Sequence, residues 1–292
     1  MPLEQVQSKM PDVTIADPPA PPPPVDVAAP QARFVLPGWA AQGGIMVVSI
    51  LVGLIVWHMG STQGWDIYLN FRNIPTPIDV FEATLGSIAD PEFYVHIGVS
   101  IWRVMLSFVL AVLVGVPIGL LMARNRIARA ALIPYIEIMR PIPAVAWIPL
   151  AILMWPTEES SIIFITFLGA FFPIVLNTIN GAEQTPEVLL RATRSLGASR
   201  FAEFRHVVFP SALPSISAGL AVGMGVAWFS LLAGEIISGQ YGIGYFTWDA
   251  YSMVRTPDIV LGMLMIGGLG TASTYGIRLL TQPMLKWQKR TR

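Results

Sequence analysis

Cysteine is absent from the 292 residues, so no disulfide framework supports the chain and no Cys/His cluster is available to hold zinc. Histidine is nearly as scarce. His58, His96 and His206 lie far apart and offer few acid–base partners, and neither a Gly-x-Ser-x-Gly elbow nor a His-Glu-x-x-His pair occurs. A membrane-embedded protease or acyltransferase therefore has little to work with, and the chain reads as a non-enzyme. The lysines, Lys9, Lys286 and Lys289, follow Ser8, Leu285 and Gln288, so there is no Gly-Lys-Ser/Thr phosphate loop. If ATP drives this protein, another chain binds the nucleotide. Charge is also sparse, at 12% against about a quarter in soluble domains.

What is present is apolar: 54% of residues are hydrophobic and the mean hydropathy is +0.61. A helix crosses the hydrocarbon core with about 20 apolar residues, because each backbone amide must be satisfied inside its own segment. Stretches free of Asp, Glu, Lys and Arg run over 34–57, 104–123, 141–157, 160–182, 211–234 and 259–277. These predict six spans. The third is the shortest, and it extends back through 131–139 if Glu137 and Arg140 face the protein interior. The first is preceded by about 33 residues, has no convincing small-residue cleavage site and reads as a true span. Net charge is zero, but the arginines are unevenly placed. Arg124, Arg126, Arg129, Arg191, Arg194, Arg200, Arg205 and Arg278 fall on one side with the basic C-terminal end, whereas Arg72 and Arg255 fall on the other. That bias predicts both termini in the cytoplasm.

Residues 1–33 carry the run Pro18-Pro19-Ala20-Pro21-Pro22-Pro23-Pro24 and few large apolar groups, a composition expected of a disordered cytoplasmic tail. Residues 34–94 hold the first span and an outer loop. In that loop Ile78, Val80, Phe81, Leu85 and Ile88 recur on a helical period and predict an interfacial helix, preceded by Trp65, Tyr68 and Phe71 at headgroup level. Residues 284–292 form a basic tail. Gly115-x-x-x-Gly119 and Gly219-x-x-x-Gly223 place small residues one turn apart, where helices approach closely.

Residues 183–210 carry the sharpest local signal. Thr185 is the expected N-cap, Pro186 the first helical residue and Glu187 a charge suited to the helix dipole. Gly197 then ends this helix, Ser199 caps a second, and Pro210 ends that one. The expected product is helix, glycine elbow, helix. Phe201, Phe204, Val207 and Val208 share one face of the second helix and suit docking of a soluble partner, while Arg200, Glu203 and Arg205 point mostly elsewhere.

Arg191-Ala192-Thr193-Arg194-Ser195-Leu196-Gly197-Ala198, with Val207-Val208-Phe209-Pro210 following, resembles the EAA loop of ABC importer permeases. Arg191 stands at the usual Glu position and Thr193 at that of the second Ala. The likeness spans about residues 95–283. The run 140–153, Arg140-Pro141-Ile142-Pro143 through Trp147 to Leu153, resembles the third-span signature of the nitrate, sulfonate, taurine and bicarbonate branch. Leu168–Thr178 resembles the next span of that branch, and the 242–251 segment looks closest to its nitrate-type members. Relatives usually read Phe-Gly-x-Gly where this chain has Pro156-Thr157-Glu158-Glu159.

This resemblance implies an all-α permease of the type I importer fold, with six transmembrane helices in the bacterial inner membrane. Two copies form the pore, two cytoplasmic ABC ATPases carry ATP and magnesium, and a periplasmic or lipid-anchored binding protein delivers a small anion. The chain itself is expected to bind no cofactor and no nucleic acid. It implies that the loop, with Phe201 and Phe204, is the coupling helix seated on the ATPase. A secondary transporter working without ATP is the rival reading. Arg140 follows Glu137 by three residues, and with Arg103 it either favours an anion in the pathway or forms a structural ion pair. Glu235 is either a gate or a loop anchor. Trp147, Phe171, Phe172 and Trp228 read as packing more than as gate, and the aromatic segment 241–251 as a binding-protein contact or an interfacial belt.

Overall fold

The computed structural model describes residues 38–65, 71–285 and 287. The proline-rich segment 1–33, Tyr68 and nearly all of the basic tail lie outside them. The chain divides into two units, Met1–Ile50 and Leu51–Arg292. Helix α1 (Gly38–Gln63) supplies the described part of the first unit and continues into the second.

In the second unit a helix stands where the apolar period over Ile78–Ile88 predicts one. Helix α2 (Pro77–Ile88) starts at a capping box in which Thr76 and Asp79 satisfy each other's backbone N–H, which holds the Asp79 carboxyl below the usual carboxylate range. It buries Val80 and exposes Ile78, Phe81, Leu85 and Ile88, the pattern of an interfacial helix. The Trp57 indole donates to the Pro75 carbonyl at 3.0 Å and fastens the end of α1 to this loop.

Three long helices form the centre of the unit: α3 (Pro91–Arg124), α6 (Glu158–Glu183) and α9 (Phe209–Ser238). Val104, Phe108 and Ala111 of α3 pack with Ile162, Ala170 and Ile174 of α6 and with Met224, Ala227 and Leu231 of α9. Both small-residue motifs face the same helix. Gly115 and Gly119 meet Phe171, Ile174 and Thr178, and Gly219 and Gly223 meet Asn177 and Ile174, so α6 is gripped from both sides. Helices α10 (Ile243–Ser252) and α11 (Thr256–Thr281) pack on α9. Many large side chains outside this core are exposed, including Leu113, Phe229 and Met263, as suits helices whose solvent is lipid.

Among the described residues five helices are long and apolar enough to cross a membrane, and a sixth crossing is made if one bent pair counts as a span. That pair corrects the expectation for 141–157. The third segment is not one helix: α4 (Arg126–Met139) and the stretch from Ala144 to Met154, which includes α5 (Ile148–Met154), meet at 90°. Pro141, Pro143 and Pro149 withdraw backbone donors through this stretch, and a residue preceding proline avoids helical dihedrals. The second span also differs. Helix α3 begins at Pro91, capped by Asp90, thirteen residues before the uncharged run, because the charge of Arg103 is neutralised inside the protein.

Candidate functional site

The elbow starts with helix α7 (Glu187–Ser195). Its N-cap is Pro186, not Thr185. The Thr185 hydroxyl instead donates backwards to the Ala182 carbonyl at 2.9 Å, which closes the end of α6. The C-terminus is a Schellman turn: the Gly197 N–H donates to Arg194 and the Ala198 N–H to Thr193, at 3.0 and 3.1 Å. Gly197 has φ of +75°, a conformation in which a side chain is strained even though the surrounding space is open. Ser199 then caps α8 (Arg200–Glu203) by accepting from the Ala202 N–H.

Pro210 does not end this second helix. A π-helical turn over Phe204–Val208 joins α8 to α9, with the Phe209 N–H donating to the Phe204 carbonyl. The widened turn accommodates a ring that would otherwise crowd the carbonyl four residues back. The elbow therefore runs without interruption into the central helix α9. The apolar face also divides: Val208 is fully buried and Phe204 packs beside it with Phe209, while Phe201 is 69% exposed. Phe204 is thus core, and the outward apolar groups are Phe201, Leu196 and Val188.

Sequence reasoning missed Glu203. Its carboxylate is almost wholly buried, accepting from Arg124 at the end of α3 (2.6 Å) and from Arg194 of α7 (3.0 and 3.2 Å). The hydrogen bond from Arg194 to Glu203, reinforced by the carboxylate's charge, raises the pKa of that guanidinium above its ordinary value. One acidic group thus ties both arms of the elbow to the central body. Its signal was a lone acid among Arg194, Arg200 and Arg205. Arg191, by contrast, among the described residues pairs only with Glu187 one turn earlier, and both are highly exposed. The Thr193 and Ser195 hydroxyls donate to carbonyls of their own helix, while Ala192 is exposed and Ala198 half-buried.

At the opposite end of α9 stands a second polar cluster. Glu235, 1% exposed, accepts from the Ser100 hydroxyl (2.8 and 2.9 Å), Arg103 (3.1 Å) and the Gly244 N–H (2.9 Å). Arg103 also donates to the Tyr241 carbonyl at 2.7 Å and, through Nε and Nη2, to Glu159 at 2.6 to 3.1 Å. The Gly242 N–H donates to His96 Nδ1, and the Ile243 N–H to Ser100. The turn before α10 wraps tightly around the carboxylate. At Gly242, with φ of +120°, a Cβ would lie 2.2 Å from Glu235 Oε1. Glu235 therefore holds the loop in place. Ser100 and Glu159 were not foreseen, although Ser100 lies one helical turn before Arg103.

The remaining expected pathway residues do not converge on this cluster. Arg140 pairs with Glu137 at 2.8 Å, and both are nearly half exposed, so the pair is not buried within the chain. Arg140 and Arg103 thus belong to separate ion-pair networks. Trp147, beside the break in the third segment, has a buried indole N–H with no partner among the described residues. Phe171 stacks on Phe167 at 5.4 Å, and Trp228 is buried with its indole N–H donating to Ser273 at 2.8 Å, so both are packed in the core.

Residues 115–281 match the family described as binding-protein-dependent transport system inner membrane component. The nitrate import permease protein NrtB of Synechocystis sp. is 34% identical over 233 residues, covering 76% of this chain and 82% of that protein. The taurine transport system permease protein TauC of Escherichia coli is 33% identical over 220 residues, covering 73% and 80%. A chain from the inward-facing MetNI methionine ABC transporter, in its native crystal form, has a TM-score of 0.51 at 20% identity. It covers 64% of this chain and 98% of that one, which is a likeness of fold.

Proposed function

Because the chain belongs to the family of binding-protein-dependent transport system inner membrane components, we propose that this multi-pass inner-membrane protein is the permease subunit of an ATP-driven importer for a small oxoanion. A second copy completes the pore, two separate ABC ATPases hydrolyse ATP with magnesium, and a binding protein delivers the solute. The substrate class rests on the nitrate and taurine permeases among its relatives, since both solutes present a compact group of oxygens.

The elbow is the observation that carries this reading. Its arginines support a cytoplasmic position by the basic bias of inner loops. There it offers Phe201, Leu196 and Val188 outward, an apolar patch that an ATPase groove covers. Displacement of α7 and α8 reaches α3 through the Arg194–Glu203–Arg124 contacts and reaches α9 through the continuous π turn. The elbow's buried acid is positioned to carry force where Arg191 is not.

Replacing Gly197 with Val forces a β-branched residue to φ of +75° and strains the turn by about 1–3 kcal/mol. Combined with Phe201→Ser, this variant is expected to assemble with the ATPase yet lose substrate-stimulated hydrolysis in proteoliposomes. Unchanged stimulation with assembly intact removes the coupling role from the elbow.

A further inference from the structure

We infer that the Glu159 carboxylate is a tethered stand-in for the transported oxoanion, occupying the Nε/Nη2 edge of Arg103 until the solute displaces it. The inference rests on the permease reading above and names a binding site within it.

The two edges of Arg103 are held very differently. Nη1 is committed to Glu235 and the Tyr241 carbonyl, and Glu235 is itself fixed by Ser100 and the Gly244 N–H. The other edge forms a fork around Glu159, at 3.1 and 2.9 Å from Nε and 2.6 Å from Nη2. Arg103 and Glu235 side chains are 6% and 1% exposed, whereas that of Glu159 is 43% exposed. Among the described residues its carboxylate has no partner but Arg103. Thr157 caps the start of α6 independently, so Glu159 can leave the fork without unwinding its helix.

The fork is chemically suited to the exchange. A guanidinium edge presents two parallel N–H groups matched to a pair of oxygens on one centre, a geometry shared by carboxylate, nitrate, bicarbonate and sulfonate but not by a halide. An open cavity of about 330 Å³ adjoins it, lined by Arg103, Thr157, Glu158, Glu159, Gln240 and Tyr241. That volume exceeds several times the roughly 30 Å³ share of one water. At the guanidinium fork one anionic oxygen pair is exchanged for another, while the displaced Glu159 stays with Glu158 in the cavity lining.

The tether gives the exchange a purpose. A linked carboxylate competes at an effective concentration of the order of millimolar or above. Dilute free anions therefore fail to displace it, while an oxoanion released at high local concentration by a docked partner succeeds. Glu159 sets a threshold for entry.

The test uses the assembled transporter in proteoliposomes with Glu159→Gln, assaying ATP-dependent uptake of nitrate, bicarbonate and taurine in turn. Removing a half-exposed competing pair is expected to lower KM for the accepted solute roughly two- to fivefold. Excess chloride is expected to leave that uptake unchanged. An unchanged KM with ATP-dependent uptake intact overturns the stand-in role and leaves Glu159 a structural partner of Arg103. Absence of ATP-dependent uptake of any solute by the wild-type complex instead overturns the importer reading. Should the variant assemble poorly, thermal-shift titrations of the wild-type complex decide. Stabilisation by the accepted oxoanion and not by chloride supports the inference, and equal responses overturn it.

Discussion

Glu235→Ala is expected to destabilise the protein by about 3–5 kcal/mol, the usual consequence of removing one partner from a buried ion pair. The substitution strips Arg103 of its deepest counter-charge, and it leaves the Ser100 hydroxyl and the Gly244 N–H without the acceptor they share. A void also opens where Gly242 and Gly244 now close on the carboxylate. The measurement is the temperature at which detergent-solubilised protein loses its monodisperse peak. Glu235→Gln keeps the shape and some hydrogen bonds and should fall between the two. The double variant Arg103→Met/Glu235→Leu removes both charges and should recover much of the loss, because an apolar pair of similar volume avoids the cost of desolvating ions. It should nonetheless fail to transport, since the guanidinium fork is gone. A double variant no more stable than Glu235→Ala alone removes the ion pair as the cause.

Each end of the α3–α6–α9 body thus carries one buried acid, Glu203 paired with two arginines and Glu235 with one. Glu203 joins α8 to α3 and α7 at the elbow, and Glu235 joins α9 to α3 and the turn before α10 at the other end. Glycine contacts on both sides of α6 lock the three helices together between them. A rigid body with bonded ends transmits a push; it does not open along its own seams. The 90° break between α4 and the α5 segment lies outside this three-helix body.

Most of the spans, the helix over Pro77–Ile88 and the turn of the elbow were legible because each follows from a local rule: apolar length, helical period, or a glycine after a helix. Gly197 behaves as such a residue should. The break in the third segment was obscured because an uncharged run looks alike whether straight or bent, although the proline spacing carried the information. Pro210 misled for a related reason: a π turn is a tertiary accommodation with no composition of its own. The acids of the two ion-pair clusters were hidden more deeply. Glu203 and Glu159 look like solvated helix-start charges, and their partners lie 79 and 56 residues away along the chain. Only packing brings these α3 partners in; Arg194, nine residues from Glu203, shares its window, but nothing there shows that the acid is buried.

Packing also gives the second large effect, a test of the central body itself. A Cβ at Gly119 would lie 2.7 Å from Thr178 Cβ and 2.9 Å from the Val175 carbonyl oxygen, so part of the obstacle is backbone that cannot rotate away. Gly119→Val must therefore push α3 off α6, at about 3 kcal/mol, the upper end of the usual overpacking cost. The separation also strains Arg124, five residues further along α3, against Glu203. Gly98 is the control on the same helix: nothing lies within 4 Å of its Cβ position, and Gly98→Val gains helix propensity over glycine. Heating both variants in detergent should show Gly119→Val lost well below the wild type and Gly98→Val indistinguishable from it or slightly more stable. Equal thermal stability of the two variants would mean that α3 and α6 do not pack through Gly119, and the rigid body connecting the elbow to Glu235 would lose its physical basis.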